Sequence, residues 1–111
     1  MRTLKFIVED QIIKQDPNCD FEGLVPGTEG YLRAEFSFSP EWDGCGKVAG
    51  FYSIMGHEYE PQLLSDGKSC MIPTEALAKK AFKISILGLR RKDSFKITTN
   101  KVTVNQTGGK A

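Results

Sequence analysis

The stretch Tyr31-Leu-Arg-Ala-Glu-Phe-Ser-Phe-Ser-Pro-Glu-Trp-Asp-Gly44 contains the clearest strand signal of the chain and its only tryptophan. Apolar residues recur at every second position from Leu32 to Phe38, with polar residues between them. This repeat is typical of an antiparallel strand that buries one face. Pro40 cannot donate a ladder hydrogen bond, and the Asp-Gly pair tolerates positive φ, so a turn is predicted there. We expect Trp42 to close one end of the core.

Short strands separated by turn signals are predicted along the rest of the chain, together with one short helix over residues 73–81. The predicted strands cover residues 3–8, 11–15, 47–55, 58–64, 69–72, 82–89 and 97–104. The Asp66-Gly67 turn predicts a hairpin that pairs 69–72 with 58–64. We therefore predict an all-β, immunoglobulin-like antiparallel β-sandwich over residues 1–105, with a flexible tail at 106–111. A small closed barrel is the alternative architecture.

The bulk composition limits the classes of partner that we expect. The 15 Lys and Arg residues nearly balance the 14 Asp and Glu residues, so the formal net charge is +1. A chain without a strong overall field has no general attraction for nucleic acid or an anionic membrane. Its length of 111 residues suits one core, and it lacks an 18-residue apolar stretch. We expect one domain, no nucleic-acid or membrane partner, and synthesis in the cytoplasm.

Few residues suggest chemistry. His57 is the only histidine, so a Cys–His catalytic pair would have to combine it with Cys19, Cys45 or Cys70, which no spacing brings together. The cysteines form no C-x-x-C pair, which argues against a zinc site and a disulfide framework. Acidic residues of the 16–30 loop could gather around calcium, but solvated loop charges explain them equally well. We predict no catalytic residues, cofactor or metal, and keep a small cysteine-dependent enzyme as an alternative.

Several segments occur in an order that resembles a known domain. They are the 31–44 stretch, Lys47-Val-Ala-Gly-Phe51, the Asp66-Gly67 turn with Cys70-Met-Ile-Pro73, Phe82-Lys-Ile-Ser-Ile-Leu-Gly88 and Ile97-Thr-Thr-Asn-Lys-Val-Thr-Val104. Over residues 3–104 the chain resembles a small β-sandwich domain of tailed-phage and prophage structural proteins from Gram-positive hosts. Such domains occur in tail-fibre, baseplate and head-fibre chains. The expected framework positions are Phe36, Phe38, Trp42, Phe51, Pro73, Phe82 and Asn100.

The resemblance implies a non-enzymatic virion protein, present in several copies or as a homo-oligomer, that binds capsid, tail or baseplate proteins. Related chains commonly continue into a coiled coil or a receptor-binding region, so a chain ending at Ala111 is not expected to be a complete fibre. Tail or baseplate attachment is the first hypothesis, and capsid decoration or a head-fibre role is the second. A host-surface or carbohydrate-binding module is the third, and it would need tyrosines such as Tyr31, Tyr52 or Tyr59 to line a groove.

Two segments are the candidate partner contacts. The 16–30 loop is about 15 residues long and has no regular period, and loops of this length on rigid scaffolds are often functional. Arg90-Arg-Lys92 forms a basic tip that could meet an acidic partner. The residues that we expect to touch a partner are Asp16, Asn18, Asp20, Phe21, Leu24, Arg90, Arg91 and Lys92.

Overall fold

The computed structural model describes residues 1–108, which form nine strands and one short helix. In chain order these are β1 (Arg2–Glu9), β2 (Ile12–Gln15), β3 (Leu32–Phe38), β4 (Gly46–Tyr52), β5 (Gln62–Leu63), β6 (Ser69–Met71), α1 (Thr74–Leu77), β7 (Ala81–Arg90), β8 (Phe95–Thr98) and β9 (Val102–Asn105). Single 3₁₀ turns cover Pro40–Trp42 and Arg91–Asp93.

The strands form two sheets. Sheet 1 has the order β2-β1-β3-β6, and sheet 2 has the order β5-β4-β7, with β8 and β9 both on the far side of β7. The prediction of an all-β fold with one short helix is confirmed, and the immunoglobulin-like assignment stays a prediction. The sheets are predominantly antiparallel, as predicted, and the exception is the parallel pairing of β1 with β3 from Arg2 opposite Leu32 to Val8 opposite Phe38.

The core lies between the sheets and is filled by the alternating positions of the strands. On the sheet 1 side, Phe6 and Phe36 stack with ring centroids 5.4 Å apart, and on the sheet 2 side Phe51 and Phe82 lie 6.4 Å apart. All four rings are at most 2% exposed. Burying one such side chain stabilises the fold by about 1.5–3 kcal/mol. The alternation read from the sequence thus describes the faces that these strands bury.

Trp42 closes one end of the core. Its side chain is fully buried, and its indole Nε1 donates a hydrogen bond to the Asp10 carbonyl at 2.8 Å. The ring packs over Gly88 of β7 so closely that a Cβ there would lie 2.7 Å from Trp42 Cζ3. Phe38, which is half-buried, packs beside the indole at 5.3 Å. The expected role of Trp42 as an end plug matches its position.

The helix is shorter than predicted, and the chain after β9 is packed rather than free. α1 ends at Leu77, where residues 73–81 were predicted to be helical, because Ala81 already begins β7. Gln106 is 1% exposed and its Nε2 donates to the carbonyls of Leu77 and Lys79 at 3.0 and 2.8 Å. The predicted flexible tail is therefore wrong at Gln106, and its last three residues, 109–111, lie outside the described residues.

Two predicted strand relationships are also wrong. The Asp66-Gly67 turn does not make a hairpin, because it connects β5 at the edge of sheet 2 to β6, which pairs with β3 in sheet 1. The predicted strand 97–104 is divided into β8 and β9, whose registers against β7 differ by one residue. This offset is that of a β-bulge, and it lies at residues 99–101.

The bulge joins the two sheets along one edge. Asn100 Oδ1 accepts a hydrogen bond from the Ile13 N–H at 2.8 Å, and the Asn100 N–H donates to the Gln11 carbonyl at 3.0 Å. On either side, Gln11 Nε2 donates to the Thr98 carbonyl and Gln15 Nε2 to the Thr103 carbonyl. We call this edge, formed by β2 with β8 and β9, the seam. Asn100, an expected framework position, therefore links the two sheets.

Candidate docking surfaces

The 16–30 loop is folded against the domain. Leu24 is 3% exposed and belongs to the core, while the half-buried Phe21 packs edge-on against Phe6 with centroids 5.4 Å apart. The Gly27 N–H donates to the Leu77 carbonyl at 2.8 Å, which ties the loop to the end of α1. The prediction of Leu24 as a partner contact is wrong, because its side chain is covered by its own chain.

The polar residues of the loop stay at the surface. Asn18 and Asp20 are exposed and Asp16 is half-buried. The Asp16 carboxylate accepts the Asn18 N–H at 2.9 Å, and the Asp20 carboxylate accepts the Glu22 N–H at 2.8 Å. Arg2 Nη2 donates to the carbonyls of Asp20 and Glu22. These bonds fix the loop while leaving its carboxylates facing solvent.

Within the basic tip, one residue is held by hydrogen bonds and two are exposed. Arg90 donates to the Asp93 carboxylate at 3.0 Å and to the Asp43 carbonyl at 2.8 Å, and its guanidinium lies 4.4 Å from the Phe95 ring centroid. The hydrogen bond between the Arg90 guanidinium and the Asp93 carboxylate raises the pKa of Arg90 and lowers the pKa of Asp93. Arg91 and Lys92 are exposed. Of the three basic residues, these two are the ones available to a partner.

The structure separates the two predicted contacts. β7 begins at Ala81, beside the α1 end that holds the loop, and finishes at Arg90, beside Asp43. Ten strand residues span about 30 Å. The loop and the basic tip therefore occupy opposite ends of the domain.

An apolar groove of about 800 Å³ lies where the β4–β5 connection faces the segment between α1 and β7. Met55 is 93% exposed and Ile54 is 49% exposed. Its lining consists of Ser53, Ile54, Met55, His57, Tyr59, Glu75, Ala78, Lys79, Lys80 and Ala81. Concave apolar surfaces with a few polar groups are the usual form of binding sites.

Local turn chemistry presents the two apolar side chains. The strand ends at Tyr52, and Ser53 Oγ accepts the His57 N–H at 3.0 Å across a turn in which Gly56 has φ +96°. Sequence reasoning missed the groove because it extended the strand through Met55, which would have placed Ile54 and Met55 in a sheet. The glycine after Met55 was the available signal for an earlier turn.

Sulfur chemistry finds no support in the geometry. Cys19 Sγ accepts the Lys5 N–H at 3.3 Å, Cys45 lies beside Arg90, and Cys70 pairs with Ala34 in sheet 1, so the thiols occupy three separate places. Burial, with a smaller contribution from the Asp66 charge, raises the pKa of Cys70 to about 12. A thiol with that pKa is a poor nucleophile at neutral pH.

Across residues 1–108, no three His, Cys, Asp or Glu side chains are grouped in a way that could hold a metal ion. The same residues contain no helix of the length and apolarity needed to cross a membrane.

Comparisons with protein families, curated proteins and solved structures found no match.

Proposed function

We propose that this protein is a non-enzymatic structural component of a bacteriophage virion, which attaches to another virion protein at the tail, baseplate or fibre anchor. The sequence resemblance supplies the virion setting. The observation that carries the attachment role is the apolar groove, where Met55 is 93% exposed without any strand or helix to cover it. Exposed apolar surface of this kind commonly marks an interaction site.

The groove defines the chemistry of its partner. Lys79 and Lys80 line it together with Glu75, and neither lysine makes a salt bridge within the described part of the chain. A segment with an apolar anchor residue flanked by a carboxylate would satisfy both the Met55 surface and the lysines. Multiple copies would add avidity to a weak individual contact.

The carbohydrate-binding alternative has less support. Of the tyrosines that could serve it, Tyr59 lines the groove, whereas Tyr52 lies over Gly50 with its hydroxyl 3.0 Å from Ser85 Oγ. Lys101 Nζ covers the Tyr52 ring at 4.0 Å. Stacking a sugar on Tyr52 would have to displace that lysine.

Cryo-electron microscopy of the assembled virion, with this chain located in the density, tests the proposal. Density at the tail or baseplate supports it, density on the capsid exterior favours the decoration alternative, and absence from the particle overturns both. Met55→Glu should reduce incorporation at least about tenfold, since a charge in the groove opposes apolar docking. Ile12→Glu is the matched control, because Ile12 is 55% exposed but lies on β2, outside the groove. Equal loss from both variants would contradict a role for the groove.

A further inference from the structure

The outer face of sheet 2 differs in chemistry from the outer face of sheet 1. The strands of sheet 2 contain no Asp or Glu, while Lys83 and Lys96 point outward from β7 and β8. Sheet 1 carries both signs of charge and contains two salt bridges, Lys14 to Glu9 and Arg33 to Glu35. Sheet 2 therefore presents uncompensated positive charge.

The same outer face is apolar at its centre. The strand register places Leu63 opposite Val48 and Val48 opposite Leu87, so three apolar side chains form a row across β5, β4 and β7. Facing residues of antiparallel strands have Cβ atoms about 4.5–5.5 Å apart. Leu89 lies two residues beyond Leu87 on the same face of β7. Leu63 is 66% exposed and Leu89 is 48% exposed.

This apolar row leads into a basic recess at the end of β7. The recess has a volume of about 310 Å³ and is lined by Leu89, Arg90, Arg91, Ser94, Phe95 and Lys96. Arg91 and Lys96 make no salt bridge within residues 1–108. An acidic segment that also offers apolar side chains would complement both the row and the recess.

The chain itself contains such a segment at its opposite end. The 16–30 loop has four acidic residues, Asp16, Asp20, Glu22 and Glu29, and no Lys or Arg. None of the four forms a salt bridge within the described residues. Val25 and the adjoining Tyr31 are each 46% exposed. The loop thus combines negative charge with apolar surface.

We infer that the acidic 16–30 loop of one copy docks on the basic recess and apolar row of a second copy. About 30 Å of β7 separates the two surfaces within one molecule, so they cannot meet in the same copy. Contacts between different surfaces of identical chains are heterologous, and they generate rings or filaments. The inference rests on the proposed structural function and deepens it, because it names a second copy of the chain as one partner.

Sedimentation velocity of the purified full chain over a range of protein concentrations, at low and high salt, tests the inference. We expect the mean mass to rise with concentration at low salt and to fall toward the monomer at high salt, since salt screens exposed charges. A mass that stays monomeric at every concentration overturns the inference. Monomeric protein that still enters virions would leave the proposed function standing.

Charge reversals identify the surfaces. Glu22→Lys with Glu29→Lys reverses the charge of the loop, and Arg91→Glu with Lys96→Glu reverses the charge of the recess. Each double variant alone should weaken association at least about tenfold, because like charges then face each other. An equimolar mixture of the two should associate again, since each then offers the complement of the other.

The control is Lys14→Glu with Lys68→Glu, two exposed lysines of β2 and of the turn before β6 that neither bond the loop nor line the recess, and it changes the net charge as much as the recess variant does. This variant should associate like the wild type. Association that is lost equally in the control, that persists in the loop variant, or that is not restored by mixing would overturn the proposed contact. The substituted carboxylates of Glu22 and Glu29 accept none of the loop hydrogen bonds described above, and circular dichroism should report an unchanged fold.

Discussion

Adding one methyl group at Gly88 should unseat Trp42. A Cβ at Gly88 would lie 2.7 and 2.8 Å from Trp42 Cζ3 and Cε3, and 3.1 Å from Ile97 Cγ2. Carbon atoms pack favourably at about 3.5–4.0 Å, so the indole would have to retreat by nearly an ångström. It cannot do so freely, because its Nε1 is bonded to the Asp10 carbonyl. We expect Gly88→Ala to cost about 1–3 kcal/mol, the usual range for overpacking a core.

The single tryptophan makes the assay direct, because its fluorescence reports both unfolding and the environment of the displaced ring. Urea unfolding should show the loss in free energy, and the melting temperature should fall by roughly 4–15 °C. Gly46→Ala is the matched control, since a Cβ there meets nothing closer than the Leu89 carbonyl at 3.8 Å. If both variants were equally stable and kept the wild-type emission, the argument from close packing would be wrong.

A double-mutant cycle separates ring displacement from backbone effects. Trp42→Phe removes the ring atoms that a Gly88 Cβ would meet, so the cost of Gly88→Ala should become smaller in that background. If the free-energy changes of Gly88→Ala and Trp42→Phe are instead strictly additive, the cost of Gly88→Ala arises in the strand itself and not from contact with the ring.

Three further predictions concern polar side chains that form hydrogen bonds with backbone groups. Gln106→Ala should lower the free energy of unfolding by about 1–3 kcal/mol in urea titrations, because the Lys79 carbonyl loses its donor and the Leu77 carbonyl keeps only the Gly27 N–H. Asn100→Ala should speed amide exchange at Ile13, whereas Asn100→Asp keeps the acceptor and should not. Asp66 accepts hydrogen bonds from the Ser69 hydroxyl and from the Lys68 and Ser69 N–H groups, which lower its pKa from 3.8 to about 2. Because the pKa of Asp66 is lowered in the folded state, its ionised form stabilises the fold above pH about 4, and this stabilisation is lost as the pH falls through about 2. The difference in free energy of unfolding between wild type and Asp66→Asn, measured in urea, should therefore shrink between these two pH values.

Local patterns predicted the longer strands because burial in a strand alternates with a fixed period, but the predicted strand 58–64 is wrong except at Gln62–Leu63. The segment from Leu32 to Phe36 buries every second residue as expected, and the turn at Pro40 places Trp42 in the core. These features depend on neighbours in sequence, so they could be read without knowledge of the partners.

Partnerships between distant strands could not be read in the same way. The Asp66-Gly67 turn has the expected chemistry, with Gly67 at φ +80°, but turn chemistry does not fix which sheet receives β6. The parallel pairing of β1 with β3 is likewise set by packing between segments about 30 residues apart. Local propensity gives way to tertiary context at such positions.

The docking surfaces were predicted only in part for the same reason. The loop and the basic tip were identified from composition, yet Leu24 proved to be core and Arg90 to be held by Asp93. The groove combines Met55 with Lys79, which are far apart in sequence, and no single segment contains its signal. The apolar row of sheet 2 appears only when the register of three strands is known.

The seam also limits aggregation between copies of the chain at high local concentration. Exposed edge strands invite aggregation by strand addition, as in amyloid. Along the seam, Gln11, Gln15 and Asn100 already occupy backbone groups of both sheets, so that edge offers little to an incoming strand. The opposite edges are short, with two residues in β5 and three in β6, where the Asp66 carboxylate takes the Ser69 N–H. A chain built this way can be concentrated on a surface while resisting fibril formation through its sheets.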